Sequence, residues 1–411
     1  MIHIYHFGTF DVANYGDLLF PLVIEYRLEN AEYQFHHCSP VAQEMDFFVD
    51  RKPTISSFNI LVNCLESPPT AVVVGGGQII RDSVAFVDDY EGCKILAYPS
   101  LWLGAAELAT RSNAPLIVNA PGVEERRSSF LKRHWKWFGE QAAYLAIRDQ
   151  AGVDRFNNLL GKLKSELIYD TAFDVSYLWS HKDLTEVFLE TVSRLELEVP
   201  PRTIAVHLKP GIDYDEVAES ISKLAADTDT VPILLAIGPC HGDSQTQKEV
   251  GCRLSVPCIV IDQPKSIKQI AAVIANSELF VGQSMHGYIT AFSFGVPAFL
   301  CFPKSYSKCA QLVQRLGLEE TLDDDWATLS NRVERLRPLV MSRIIEMQPQ
   351  IRSELDKHWS HVQAIIENPQ KDERMHSKNL FWRLHLKLHS FVRLGAKAIR
   401  RTMIQISRAR S

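Results

Sequence analysis

Short apolar runs and longer amphipathic stretches alternate along most of the chain. Ile2–Phe7, Ala71–Val74, Pro115–Asn119, Tyr144–Ile147 and Leu167–Tyr169 read as strands. Between them, periodic patterns predict helices over Asp17–Leu28 and Leu101–Arg111, and the charged, aromatic segment Glu124–Glu140 predicts a surface helix. A charged stretch from Trp179 to Arg202 ends in Pro200-Pro201 and predicts a crossing between two domains. A second series follows, with strands at Ile204–Leu208, Val231–Ile237, Pro257–Ile261, Leu279–Val281 and Ala298–Phe302. Its helices are predicted over 214–226, Ser266–Asn276 and Gly287–Phe294. Such alternation predicts α/β architecture, with parallel sheets covered by helices on both faces. From about Asp325 to Ile366 the pattern is that of one long helix, with Leu336, Leu339, Val340 and Ile344 as a packing stripe. The division expected is 1–178, 179–202, 203–320, 321–370 and 371–411.

Chemistry-bearing residues gather where strands hand over to helices. Gly282–Pro297 reads GQSMHGYITAFSFGVP, which places Ser284, His286 and Gly287 at such a corner. In open parallel sheets that corner faces the ligand crevice, and the free N–H groups of the helix start attract anions. Gly287 would let a ligand approach the backbone, and His286 titrates near neutral pH. The plain alternative is a histidine beside a helix cap. Asn14-Tyr15-Gly16-Asp17 forms a similar junction, where Asn14 or Asp17 caps a helix or meets a ligand. Gly75-Gly76-Gly77 ends a β-branched run and reads as a loop able to cradle a phosphate or sugar. It matches neither the Gly-Lys-Ser/Thr phosphate loop nor G-x-G-x-x-G, which argues against ordinary ATP or NAD chemistry. Arg148-Asp149 ends another strand, either as a ligand contact or as a simple ion pair. In the second half His207, Lys209, His241 and His286 all fall at strand ends, with Lys304 and Lys308 after the last strand. Together they suggest an anion pocket.

Composition narrows the class. The 411 residues exceed the usual size of one core; 46% are hydrophobic and 23% charged, as in ordinary globular proteins. Eight scattered cysteines form no C-x-x-C pair, so neither zinc nor a disulfide framework is suggested, and reduced thiols point to the cytoplasm. The start, MIHIYHFG, lacks a signal peptide, and no apolar run is long enough to span a bilayer. No H-E-x-x-H or G-x-S-x-G motif is present, and no metal site is expected.

The ordered set of Asn14-Tyr15-Gly16-Asp17, Gly75-Gly76-Gly77, Arg148-Asp149 and His286-Gly287 with Gly295-x-Pro297 resembles the polysaccharide pyruvyltransferase family. The resemblance covers residues 1 to about 320. It implies two Rossmann-like domains facing across a cleft, as in GT-B glycosyltransferases, followed here by a C-terminal helical extension. It also implies transfer of a pyruvyl group from phosphoenolpyruvate to two hydroxyls of one sugar, giving a cyclic ketal, with no cofactor. The acceptor would lie on the N-terminal domain at Asn14, Gly16 and Gly75–Gly77. The donor would lie on Arg148, His207, Lys209, His241, Ser284, Gly287, Lys304 and Lys308. Catalysis would fall to His286 as general acid and Asp17 as base. Many members carry arginine two residues before the histidine, where this chain has Ser284. Arg148, Lys209 or a lysine after the last strand must then hold the donor's anion, or the donor differs. A nucleotide-sugar glycosyltransferase and a non-catalytic glycan-binding protein of the same fold are the alternatives.

Charge is uneven. Residues 371–411 hold eleven Lys and Arg against two Asp and Glu, a net +9 that leaves −14 on the preceding 370 residues of a chain at −5. On a helical wheel Leu380, Leu384, Leu388, Phe391, Val392, Ile399, Met403 and Ile406 face one side, and Arg383, Lys387, Arg393, Lys397, Arg400 and Arg401 the other. That pattern predicts a helix lying on an anionic membrane surface, which would place the protein at the inner face; it is the family resemblance, and not the tail, that implies a lipid-linked acceptor there. Packing on protein is the alternative. Nucleic acid is not expected as a partner, because it would leave the apolar stripe unexplained.

Overall fold

The computed structural model describes residues 1–42, 47–62, 65, 67–124, 132–161, 165–195 and 200–369. The basic tail predicted as a membrane contact lies outside the described residues.

Two parallel sheets form. The first has strands β1 (Ile2–Phe7), β2 (Tyr33–Ser39), β3 (Ile55–Ser56), β4 (Ala71–Gly75), β5 (Leu116–Asn119), β6 (Ala142–Ile147) and β7 (Glu166–Leu167), in the order β3-β2-β1-β4-β5-β6-β7. Its helices are α1 (Tyr15–Arg27), α2 (Ser57–Val62), α3 (Ala97–Ser112), α4 (Lys132–Gln141) and α5 (Gln150–Leu160). α6 (Val175–Leu178) precedes the crossing, which contains α7 (His181–Arg194), opened by a reciprocal Ser180–Asp183 capping box. The second sheet has β8 (Thr203–His207), β9 (Val231–Leu235), β10 (Ile259–Ile261), β11 (Leu279–Gly282) and β12 (Ala298–Leu300), in the order β10-β9-β8-β11-β12. Helices α8 (Tyr214–Thr228), α9 (Asp243–Gly251), α10 (Ile267–Ala275), α11 (Met285–Ser293) and α12 (Ser307–Leu316) accompany it, and α13 (Leu329–Glu367) closes the described chain. Every pair of neighbouring strands in the two sheets is parallel, and strand order reverses between β1 and β4 and again between β8 and β11. These are the points at which open α/β sheets leave a crevice.

The two halves share one apolar core. A continuous cluster runs from Ile4, Val73 and Tyr144 of the first sheet to Val206, Phe280 and Ile366 beyond it. Specific bonds cross as well. The Tyr15 amide donates to the Ile237 carbonyl (2.9 Å), and Tyr15 Oη pairs with Thr290 Oγ1 (2.8 Å). Asp50, from a loop of the first half, accepts from the first amides of α10, Ile267 (2.7 Å) and Lys268 (2.9 Å). An acidic group there satisfies orphan donors and faces the positive end of the helix dipole.

Helix α13 binds both halves. Ser330 Oγ donates to Asp227 (2.5 Å) at its start, and Gln348 donates to the Phe292 carbonyl (2.7 Å) midway. Near its end Trp359 Nε1 donates to Asp174 (2.7 Å), and His358 sits between Asn119 Oδ1 (2.6 Å) and the Tyr144 hydroxyl (3.0 Å). Leu336, Val340 and Ile344 are buried as expected, but Leu339 is exposed, because a helix period puts it a quarter-turn off the stripe. The predicted surface helix before β6 also needs correction. Trp135 and Phe138 on α4 are fully buried against Trp102 and Phe156, so its aromatic side is core. No helix among the described residues is long and apolar enough to cross a membrane.

Burial makes several histidines acid-sensitive. In the aligned strands β1 and β2, His6 Nδ1 meets His37 Nδ1 (3.2 Å), and His37 Nε2 meets Glu25 (2.9 Å). Burial lowers the pKa of both, and pushes that of His358 down to about 3. The unfolded value is about 6.5. Between the two, the unfolded chain binds more protons, so stability is full above pH 6.5 and is lost as pH falls toward 3. For His358 the expected slope is about 1.4 kcal/mol per pH unit. Unfolding free energies measured against pH for wild type and His358→Gln should therefore show a flatter curve in the variant. Parallel curves would mean that His358 is protonated in the folded state.

Candidate functional site

Helices α1 and α11 start at the two points where strand order reverses, and they meet head to head. Their contact depends on Gly16. A Cβ there would occupy the space of His286 Nδ1 and Cγ, so only glycine lets the imidazole lie flat against α1. The Phe20 ring, one turn on, meets His286 edge to face at 5.5 Å. Ser284 is the N-cap of α11, its Oγ accepting from the Gly287 amide (3.0 Å).

The other imidazole edge points at a buried carboxylate. His286 Nε2 lies 3.6 Å from Asp170 Oδ2, and the same oxygen accepts from Arg148 Nη1 at 2.5 Å. Asp170 Oδ1 accepts from the Ala172 amide (3.0 Å). Burial alone would raise the Asp170 pKa. The Arg148 guanidinium, then His286, outweigh it and hold the carboxyl well below its usual range. Arg148 itself is buried, its guanidinium against the Cβ-less Gly122.

Around this pair lies a small cavity between the halves. Gly122, Arg148 and Asp170 line one side, and Met285, Lys308 and Arg315 the other. Burial is the main cause lowering the Lys308 pKa, and the nearby Arg148 charge lowers it further. Arg315 Nη2 pairs with Glu354 (2.5 Å), and its guanidinium stacks 3.5 Å above the Tyr169 ring. Lys209 and Lys308 flank a stacked Phe302–Tyr306 pair, with Nζ 5.8 Å from the Phe302 ring and 5.2 Å from the Tyr306 ring. His241 stands beside them, its pKa lowered by desolvation and then by Lys209. This side of the site is electropositive and suits an anion with a planar or apolar portion.

Several expected site residues have other duties. His207 does not reach the sheet edge as a ligand group. It is buried, with Nε2 2.7 Å from Asp243 Oδ2, and that oxygen accepts from the Gly238 amide, so the pair shapes the loop that carries His241. Lys304 does not line the cavity beside Arg148 and instead forms a largely exposed ion pair with Asp323 (2.9 Å). Ser284 is buried and committed to its cap, and Gly287 is glycine because a Cβ would strike the Phe280 ring. Gly75, Gly76 and Gly77 are buried and form no open cradle. Gly76 (φ +84°) accommodates the Phe20 ring, and a Cβ on Gly77 (φ +64°) would lie 2.6 Å from Asp17 Oδ1. Asn14 donates to the other Asp17 oxygen (2.7 Å) and, although at the N-cap position, makes no cap with its side chain. Asp17 is thus half-buried next to Gly16 in α1, with one oxygen bonded by Asn14 and the other beside Gly77. The sequence reading missed Asp170 and Arg315. Asp170 carried a weak signal, since it directly follows a predicted strand; Arg315 carried none.

The arrangement predicts a specific consequence. Gly16→Ala should keep the fold, because alanine favours a helix, yet displace His286 from α1. The His286 imidazole resonances, compared between wild type and variant, should shift strongly while the rest of the spectrum is preserved. An unmoved ring would show that the contact is not tight.

Comparisons with known proteins agree with this architecture. The profile of the family described as polysaccharide pyruvyl transferase matches residues 14–303. No curated protein sequence matches the chain. Among solved structures, the UDP-GlcNAc 2-epimerase from Neisseria meningitidis is similar at 12% identity and a TM-score of 0.57, over 90% of this chain and 100% of that one. A protein described as a UDP-N-acetylglucosamine 2-epimerase from Listeria monocytogenes gives 14% and 0.54, over 83% and 89%. A UDP-glucosyltransferase from Polygonum tinctorium gives 10% and 0.52, over 89% and 99%. At such identities the likeness speaks for the fold, which is GT-B-like.

Proposed function

Given that the chain belongs to the polysaccharide pyruvyl transferase family, we propose that it moves a pyruvyl group from phosphoenolpyruvate to a sugar of a polysaccharide or its lipid-linked precursor. The observation that carries this reading is the meeting of His286 with the Asp170–Arg148 pair, whose two members line a cavity together with Lys308.

The chemistry needs a proton at C3 of the enol and the loss of two hydroxyl protons. Protonation by His286 would turn the CH2 into a methyl group and leave C2 electrophilic. One sugar hydroxyl then adds to C2, and the second displaces phosphate. The products are the cyclic ketal of pyruvate and inorganic phosphate, with one proton returned to histidine and one leaving with the phosphate or the base. Histidine suits proton delivery near neutral pH. Asp17, the residue next to Gly16, would accept a hydroxyl proton. Lys308 and Lys209 supply the positive charge that the donor's phosphate and carboxylate require. Arg148 is already tied to Asp170, so the two lysines carry more of the anion binding than the sequence alone suggests. They stand in for the arginine that many members have at the position of Ser284.

Two measurements on purified protein test the reading. His286→Gln should lower pyruvyl transfer about 10²–10⁴-fold, a loss typical of a missing general acid, without a change in thermal stability. Lys209→Ala and Lys308→Ala should each weaken phosphoenolpyruvate binding by about 1.5–3 kcal/mol in calorimetry. Full turnover in the folded His286 variant would refute its role. Binding of a nucleotide-sugar in place of phosphoenolpyruvate would favour a glycosyltransferase, which the UDP-sugar enzymes among the structural neighbours keep in view.

The basic amphipathic segment 371–411 fits an enzyme whose acceptor is carried on a membrane lipid. Full-length protein should float with anionic liposomes at low salt and be released at high salt, whereas protein ending at Asn368 should not float. Equal behaviour of the two forms would remove the membrane role of the tail.

A further inference from the structure

We infer that Asp170 is the positioning residue for His286: its Oδ2 faces the buried Nε2 and holds the neutral imidazole as the Nε2–H tautomer, and Asp170 is itself held by Arg148. This rests on the reading of His286 as the proton donor, but its geometry stands independently of the substrate.

The ring has two distinct edges. Nε2 is buried, has no hydrogen-bond partner within bonding distance, and faces Asp170 Oδ2 at 3.6 Å. A buried imidazole nitrogen next to a carboxylate is most stable carrying a proton, because the pair then gains a charge-assisted contact and the carboxylate loses an unsatisfied lone pair. Nδ1 lies on the other edge, against Gly16, where no side chain intervenes. A proton leaving the imidazolium therefore departs from Nδ1 and leaves the neutral ring as the Nε2–H tautomer. The reverse tautomer would set a lone pair against the buried Asp170 carboxylate.

Asp170 is built for this duty. Its Oδ1 is fixed by the Ala172 amide, and its Oδ2 is shared by Arg148 and His286. Arg148 anchors the carboxylate and keeps it ionised in a site where burial opposes charge. The arrangement follows the general logic in which a proton-transferring group is oriented by a third residue that touches no substrate. Among the charged groups of the described residues, Asp170 forms an ion pair with the ring, and Arg148 meets the same carboxylate oxygen.

The inference is tested first on unaltered protein. Imidazole ¹⁵N shifts of the neutral His286 ring should show the proton on Nε2; a proton on Nδ1 would overturn the inference whatever the substrate proves to be. Asp170→Asn is the second arm. The neutral ring should then populate both tautomers, kcat should fall on the order of 10²-fold, and KM for the acceptor should change little. Asp170→Glu should restore part of the Nε2–H population. A folded Asp170→Asn protein with the wild-type tautomer and kcat would reduce Asp170 to a structural partner of Arg148. If Asp170→Asn does not fold, the tautomer in wild type still decides. If the Nε2–H tautomer and its loss in Asp170→Asn are observed but no pyruvyl transfer occurs, the reading of the reaction fails and the positioning role stands.

Discussion

Helix α1 is packed on nearly every side, and the rest of the molecule is arranged around that constraint. Of its thirteen residues only Tyr26 is exposed. One side covers the first sheet, and another meets α10, α11 and the segment after β7. A helix with so little solvent-facing surface cannot be amphipathic in the usual sense, because apolar area is buried all around it. Its close approaches are set by small residues: Gly16 admits His286, and Gly76, across from it, admits Phe20. Each saves roughly a side chain's width at a point where dense packing tolerates no overlap. The glycines that read as ligand loops in the sequence are therefore mostly packing devices, and they bring the functional groups together by letting two helices touch.

The second organising feature is electrostatic. Burying a carboxylate is costly unless it is paired and hydrogen-bonded. Asp170 meets both conditions through Arg148 and the Ala172 amide, and keeps an oxygen facing His286. The same arrangement commits Arg148 to Asp170. The lysines divide accordingly. Lys308 lies in the cavity and Lys209 beside the aromatic pair, while Lys304 is held outward by Asp323.

Helix α13 makes the relative placement of the halves durable. It joins Asp227 at one end to Asn119, Tyr144 and Asp174 at the other. Together with the continuous core and the capping of α10 by Asp50, it makes the region between the sheets a packed interface with a small cavity. The distances among His286, Asp170 and Arg148 are thus set by core packing.

By itself the sequence determined the elements and their order. Strand and helix alternation follows from local hydrophobic periodicity, which is why Ile2–Phe7, Tyr144–Ile147 and Leu279–Val281 fall on strands as expected. The corners at Gly16 and His286 were legible for the same reason, and the ordered motifs were enough to indicate the family. The tertiary structure alone decided which of those corners meet, and what each polar group does there. His207 ends β8 and Lys304 follows β12, much as Lys209 and Lys308 follow the same two strands, yet one pairs with Asp243 inside the core and the other with Asp323 at the surface. No local pattern separates these fates, because each depends on a partner contributed by a distant segment. Asp170 shows the same limit most clearly. Its neighbours in sequence are ordinary, and its importance comes from Arg148, twenty-two residues before it, and His286, more than a hundred after it, converging on one oxygen. Periodicity is a property of adjacent residues, whereas a charge network is a property of long-range packing, and only the folded chain contains it.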